Sequence, residues 1–312
     1  MEDQPMFSAP PEIMAEVFTR LPDGWEGDHA SSPWAVTQHP SGGLRAFLEG
    51  PSFDRDGNLW VVDIAFGRIF KISPDGAFTT VADYDGEPNG LKFHKDGRIF
   101  IADHKNGIVN CDPKTGEITP FVDRPYLERF VGTNDLHFTM NGDLYFTDQG
   151  QSGLQDAYGK LYRLNIDDGR LEALLTNVPS PNGLVPTLDE SQMLLAVTRA
   201  NAIWRIRFHP DGKTVAKTGN FIQLSGGLGG PDGLTMDEEG NLVICHVGLG
   251  TVWLFSPLGE PKLRIRIPEG LATTNAAFGG EGGKTLFITE SSTATIYKVE
   301  MPHAGAPIFG LS

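Results

Sequence analysis

A short motif recurs six times along the chain, each time leading into the same kind of hairpin. Leu48 to Ile64 reads L-E-G-P-S-F-D-R-D-G-N-L-W-V-V-D-I, and its counterparts open P-N-G-L at Pro88, T-N-D-L at Thr133, P-N-G-L at Pro181, P-D-G-L at Pro231 and T-N-A-A at Thr274. Successive motifs lie 40 to 50 residues apart. A period of that length, with several short strands in each unit, is the signature of a β-propeller.

One unit predicts four antiparallel strands. An alternating segment containing Leu91 and Phe93 turns at Asp96-Gly97 into Ile99 to Ile101, a hairpin pattern. A third strand of the type Gly67 to Ile72 follows, then a turn at Pro74 to Gly76 and a fourth strand from Phe78. The fold class is therefore all-β, a six-bladed β-propeller read as a single domain over residues 1–312. The last repeat ends after its third strand, near Met301, and the segment Glu16 to Leu21 reads as the missing strand. An N-terminal strand completing the last blade would close the ring and remove a free edge. Residues 1–12 read as a loose arm ahead of it. Residues 23–48 would cross the channel mouth into the first blade, with Trp25, His29, Trp34 and His39 serving either a pocket there or packing.

In such a ring the first strand of each blade lines the channel, so Glu49, Asn89, Asn134, Asn182, Asp232 and Asn275 should converge at one mouth. The second strand runs back to it. Its end residues, Asp63, Asp103, His104, Asp148, Gln149, Arg199, His246 and Glu290, should add a second ring. Singly, an Asn or Asp before Gly is most simply a turn residue. Six at one repeat position, with Glu49 replacing the turn formers, point instead to a ligand role. Carboxylate and amide oxygens together suit a hard cation such as Ca²⁺, whereas Zn²⁺ would call for His or Cys. The segments Asp123 to Gly132 and Gln149 to Gly159 should overhang the same mouth. The glycine run from Ser225 to Gly230 lacks the lysine and the helix of a phosphate loop.

Charge excludes some partners. The net charge of −15 leaves no basic surface for nucleic acid or an anionic membrane. Cys111 and Cys245 are the only thiols, too few for a zinc cluster. No apolar run of signal-peptide or membrane-span length is present, which suggests a cytoplasmic protein with a small-molecule substrate.

Taken together, L-E-G-P at Leu48, T-N-D-L at Thr133, P-N-G-L at Pro181 and P-D-G-L at Pro231 resemble the family of senescence marker protein (regucalcin), gluconolactonase and luciferin-regenerating enzyme, with diisopropyl fluorophosphatase among its relatives. The resemblance spans nearly the whole chain. It implies one divalent cation, usually Ca²⁺ with Zn²⁺, Mn²⁺ or Mg²⁺ as alternatives, bound by Glu49, Asn134, Asn182 and Asp232. It also implies that Asp232 acts as the base that activates water or as a nucleophile. Sugar-lactone members often carry Arg two residues before the equivalent of Asn134, and here that position is Gly132.

The expected activity is metal-dependent opening of a small lactone, with Asp232 as base. Asn89, His104, Gln149, Arg199, His246 and Asn275 are the candidate substrate contacts, and His104 and His246 are candidate helpers in proton transfer. A phosphotriesterase-like hydrolase at the same site and a non-enzymatic calcium- or ligand-binding propeller are the alternatives.

Overall fold

The structure, a computed structural model, describes residues 9–311 and is a six-bladed β-propeller. Blades 1 to 4 are four-stranded meanders whose inner strands are Leu48–Phe53, Pro88–Phe93, Thr133–Phe138 and Pro181–Pro186. Gly230–Met236 and Thr273–Gly279 are the inner strands of blades 5 and 6. Each inner strand touches the next around the channel, and that of blade 6 returns to that of blade 1. At this seam Thr274 Oγ1 donates to the Leu48 carbonyl at 2.9 Å, and Ser291 Oγ donates to the same oxygen at 2.7 Å.

The hydrophobic core follows from this arrangement. The second strand of each blade is buried on both faces, as in Leu59–Asp63 and Ile99–Asp103, so its sequence is a largely apolar run. Apolar side chains accordingly gather in six seams between neighbouring blades. Phe70, Leu48 and Phe287 belong to the seam of blades 6 and 1, and Phe100, Phe138 and Phe146 to that of blades 2 and 3.

Glu16–Arg20 completes blade 6, pairing antiparallel with Thr295–Glu300, and Leu21 N–H extends the ladder to the Ala294 carbonyl at 3.0 Å. The chain just before it does more than the sequence suggested. Residues 1–8 of the expected loose arm lie outside the described residues. Glu12–Met14, however, forms a fifth strand on blade 5, parallel to Pro261–Arg266, with Arg264 N–H donating to the Pro11 carbonyl at 2.9 Å. Nothing in E-I-M distinguishes such an added edge strand from coil. The N-terminal segment thus ties the outer edges of two adjacent blades together. Among the described residues no helix is long and apolar enough to cross a membrane.

Deleting residues 1–22 should expose both outer edges and remove the buried Ala15 and Leu21 from their seams. A thermal melt is expected to shift down by at least about 3 °C, the shift that a loss of roughly 2 kcal/mol gives in a domain of this size. A truncated chain that melts with the parent would show that blades 5 and 6 hold without the strap.

Candidate functional site

The six motif residues reach the channel by a shared backbone device. In every blade the ladder between the two innermost strands slips at the motif, after Glu49, Pro88, Thr133, Pro181, Pro231 and Thr273. A bulge of this kind bends the strand and re-aims one side chain. The following glycine lets neighbouring inner strands touch. A Cβ on Gly50, at φ +58°, would stand 2.9 Å from Leu91 N, and one on Gly183 would stand 2.7 Å from the Gly233 Cα. These Asn-Gly and Asp-Gly steps lie inside strands, so they are close-approach positions and not turns.

At the mouth the bulges open a cavity of about 540 Å³. Glu49, Asn89, Asn134, Asn182 and Asp232 line it together with Trp34, Phe47, His104, Gln149 and Arg199. The loop after the second strand of blade 3 supplies a further side, Gly150 to Gln155, held by Ser152 Oγ donating to the Gln149 carbonyl at 2.7 Å. Of the residues placed near the mouth by the N-terminal connection, Trp34 is there, on the short helix Pro33–Gln38. Trp25 packs instead on Phe70 in the core, and His39 lies against Trp34 and Phe47. The segment before Gly132 does not line the cavity.

Two carboxylates, Glu49 buried and Asp232 half-buried, dominate the electrostatics. Glu49 Oε2 accepts from Gly50 N–H at 2.8 Å and from Asn275 Nδ2 at 3.0 Å. Burial nevertheless pushes the Glu49 carboxyl up to about 8, assisted by the charge of Asp135. Burial and the charges of Glu49 and Asp135 likewise raise Asp232 well above the carboxylate range, against the opposing pull of the Asn182 amide and the Arg199 guanidinium. The amides are oriented by their neighbours. Asn134 Nδ2 donates to Gln149 Oε1 at 3.2 Å, and Gln149 Nε2 donates on to Ser180 Oγ at 3.0 Å. The Asn134 carbonyl oxygen is left buried with no hydrogen-bond partner among the described residues. Asn182 Nδ2 donates to Thr198 Oγ1 at 3.2 Å, which is fixed by donating to the Pro231 carbonyl at 2.8 Å.

Several expected residues have other places. Asn275 lies beneath the floor, where its amide nitrogen bridges Glu49 Oε2 and, at 3.4 Å, Asp135 Oδ2. His246 is fully buried off the cavity, its Nδ1 accepting from Trp253 Nε1 at 3.3 Å. The acids ending the second strands are latches. Asp63 accepts from Phe47 N–H at 2.9 Å, Asp103 from Glu87 N–H at 3.1 Å, Asp148 from Gly132 N–H at 2.8 Å and Glu290 from Ala272 N–H at 2.9 Å. Each ties down the chain leading into its own inner strand, satisfying backbone donors that burial would otherwise orphan. Asp135 was not anticipated. Its signal was T-N-D-L, in which an acid stands where four sister motifs carry glycine.

The donor set fits a hard cation. Two carboxylates that resist ionising together, and an amide oxygen lacking a donor, are what a small oxygen-ligated ion would satisfy. Among the described residues no three His, Cys, Asp or Glu side chains form a metal cage, so the amides are needed to complete the set. Both cysteines are buried and free.

Comparison with known proteins agrees with this geometry. The sequence model of the SMP-30/gluconolactonase/LRE-like region matches residues 47–292, and the chain belongs to that family. Lactonase drp35 of Staphylococcus epidermidis is 32% identical over 248 residues, 74% of each chain. Its namesake in Staphylococcus aureus is 31% identical over 231 residues, 71% of this chain and 70% of the relative. Among solved structures, a gluconolactonase from Xanthomonas campestris superposes with a TM-score of 0.71 at 24% identity, covering 82% of this chain and 86% of that one. A calcium-binding protein, regucalcin, from Agrobacterium tumefaciens gives 0.74 at 20% identity, covering 97% and 98%. At these identities the structural likeness speaks for the fold alone.

The carboxyl pair makes a signed prediction for cation-free protein. Glu49 and Asp232 hold protons more tightly folded than unfolded, so the stability they contribute is present at low pH and lost as pH rises. After treatment with chelator, melting temperature should fall between about pH 4.5 and about pH 8, and added Ca²⁺ should restore it at the upper end. A melting curve that is flat across that window in the stripped protein would contradict the assignment.

Proposed function

We propose that this protein is a lactonase that opens a small lactone with water, using a divalent cation held by Glu49, Asn134, Asn182 and Asp232. The observation that carries the reading is the convergence of two carboxylates, Glu49 buried and Asp232 half-buried, and an unpartnered amide oxygen on the floor of one cavity. Support comes also from the lactonase activity named for the drp35 relatives, and from the calcium named for the regucalcin neighbour. Ca²⁺ is the preferred ion, ahead of Mn²⁺, Mg²⁺ or Zn²⁺.

When bound, the cation supplies positive charge that lets Glu49 and Asp232 ionise together and that polarises the lactone carbonyl. The remaining work falls to the chain. Asp232, on blade 5, takes a proton from water as the water oxygen bonds to the acyl carbon. The bond between that carbon and the ring oxygen then breaks, and the proton passes to the released alkoxide, so one water is consumed and a hydroxy acid is formed. Asn275 holds Glu49 from below, and Gln149 holds the Asn134 amide. Arg199, a cation on blade 4 at the rim, counters the raised proton affinity of Asp232. Asn89 and His104 face Asp232 across the cavity, on the opposite blade, and are placed to bind substrate. His246 and Asn275, lying off the cavity wall, are assigned support of the site and no contact with substrate.

Asp232→Asn separates ligand from base, because an amide can donate an oxygen to the ion but cannot accept the proton. At saturating cation, turnover of a good lactone should fall about 10²- to 10⁴-fold. A variant running within about tenfold of the parent would leave Asp232 a ligand alone.

A further inference from the structure

The imidazole of His104 fills the volume that any side chain at position 132 would need. A Cβ on Gly132 would stand 2.6 Å from both Nδ1 and Nε2 of that ring, and Gly132 adopts φ +145°, which L side chains rarely do. The backbone there cannot easily yield. Gly132 N–H donates to Asp148 Oδ1 at 2.8 Å, and its carbonyl accepts from Gln149 N–H at 2.8 Å and Gly150 N–H at 3.2 Å. His104 is fixed from its own side by its N–H on the Glu87 carbonyl at 2.8 Å. Its position is thus set from both sides.

The ring has hydrogen-bonding capacity to spare. Neither nitrogen meets a protein partner among the described residues, and the ring lines the cavity. Burial lowers its pKa, outweighing the nearby Asp103 charge, so at neutral pH it presents one donor and one acceptor. Its surroundings are divided, apolar on one side and lined with amides and hydroxyls on the other. Trp34, Phe47 and Ile64 flank the blade 1 side, and above the floor Arg199 on blade 4 is the only lining side chain that is always charged. The half-buried amide next along the wall, Gln149, is already committed to Asn134 and Ser180. Of the other amides, Asn89 lies buried lower on the same blade, and Gln38, Gln151 and Gln155 at the rim are solvent-exposed.

Resting on the lactonase reading, we propose that His104, seated on Gly132, determines specificity by binding a hydroxyl on the lactone's ring substituent, on the side away from Asp232. The preferred substrate class is then a lactone of largely hydrocarbon frame bearing one uncharged hydroxyl. A polyhydroxylated sugar lactone would leave several hydroxyls against Trp34, Phe47 and Ile64 without partners, each at a desolvation cost. A carboxylate-bearing lactone would place its charge in the same apolar half.

The test compares two γ-lactones that differ only in carrying hydroxymethyl or ethyl, together with an aldonolactone. The parent should favour hydroxymethyl over ethyl in kcat/KM by roughly three- to tenfold, the range of one net hydrogen bond. In His104→Ala that ratio should collapse towards one, mainly through KM, and His104→Gln, which keeps a donor and an acceptor, should recover part of it. Gly132→Ala, by forcing the ring aside, should reproduce the His104→Ala ratio. An unmoved ratio in His104→Ala overturns the role of His104 while the lactonase reading stands. A parent that prefers the aldonolactone overturns the substrate class. Failure of the parent to open any lactone overturns the functional reading and this one with it.

Discussion

Two carboxylates brought together at the floor of one cavity, Glu49 buried and Asp232 half-buried, are the constraint on which the rest of this propeller depends. Glu49 and Asp232 sit on blades 1 and 5, and Asp135 adds a third acid beneath them from blade 3. An apolar ring of this kind would fold with no such cost. Desolvation raises the proton affinity of all three, and repulsion from neighbouring acids adds to it at Glu49 and Asp232, a penalty that a structure retains where the site is used. The amides around them are arranged to lower that penalty. Asn275 donates to two of the acids, and Asn182 opposes the rise at Asp232, whereas the Asn134 nitrogen is committed to Gln149 and its oxygen is left without a donor.

Placing those groups requires the whole ring. No two of the motif residues on the cavity floor share a blade, so their separations are set by how six sheets pack around the channel. The glycines after the motif residues bring inner strands into backbone contact, and the latching acids Asp63, Asp103, Asp148 and Glu290 fix the chain just before four of those strands. The N-terminal strap along blades 5 and 6 holds the end of the ring where it meets the beginning. A change far from the cavity, at Leu21 or Ala15, therefore bears on the position of Asp232 through the blade it sits on. The clamp of His104 on Gly132 is a local case of the same principle. Asp148 on blade 3 holds Gly132, and Gly132 in turn sets the position of a side chain on blade 2.

Much of this was legible before the structure. The period of the repeat and the alternation of turns and apolar runs implied six blades, and the shortfall of one strand after Met301 implied closure by the N-terminal strand. Motif position alone brought Glu49, Asn89, Asn134, Asn182 and Asp232 to one mouth. It misplaced Asn275 because a bulge shifts the aim of each side chain by an amount that a linear motif does not record. It read the second-strand acids as cavity residues because an acid that caps backbone N–H groups and one that faces a ligand look identical in sequence. Asp135 carried a signal, the break of the N-G pattern in T-N-D-L. The contact of His104 with Gly132 carried none, since it joins residues of two blades through a side chain that is absent.

The central claim is that this carboxyl cluster is a cation site. Calorimetric titration of the chelator-stripped protein with Ca²⁺ at pH 7, repeated in two buffers of different ionisation heat, tests it most directly. Because Glu49 is held near 8 and Asp232 well above its usual range without the ion, binding should be to a single site and should release on the order of one proton or more per ion. A titration showing no binding, or binding at one site with no proton released, would contradict the claim.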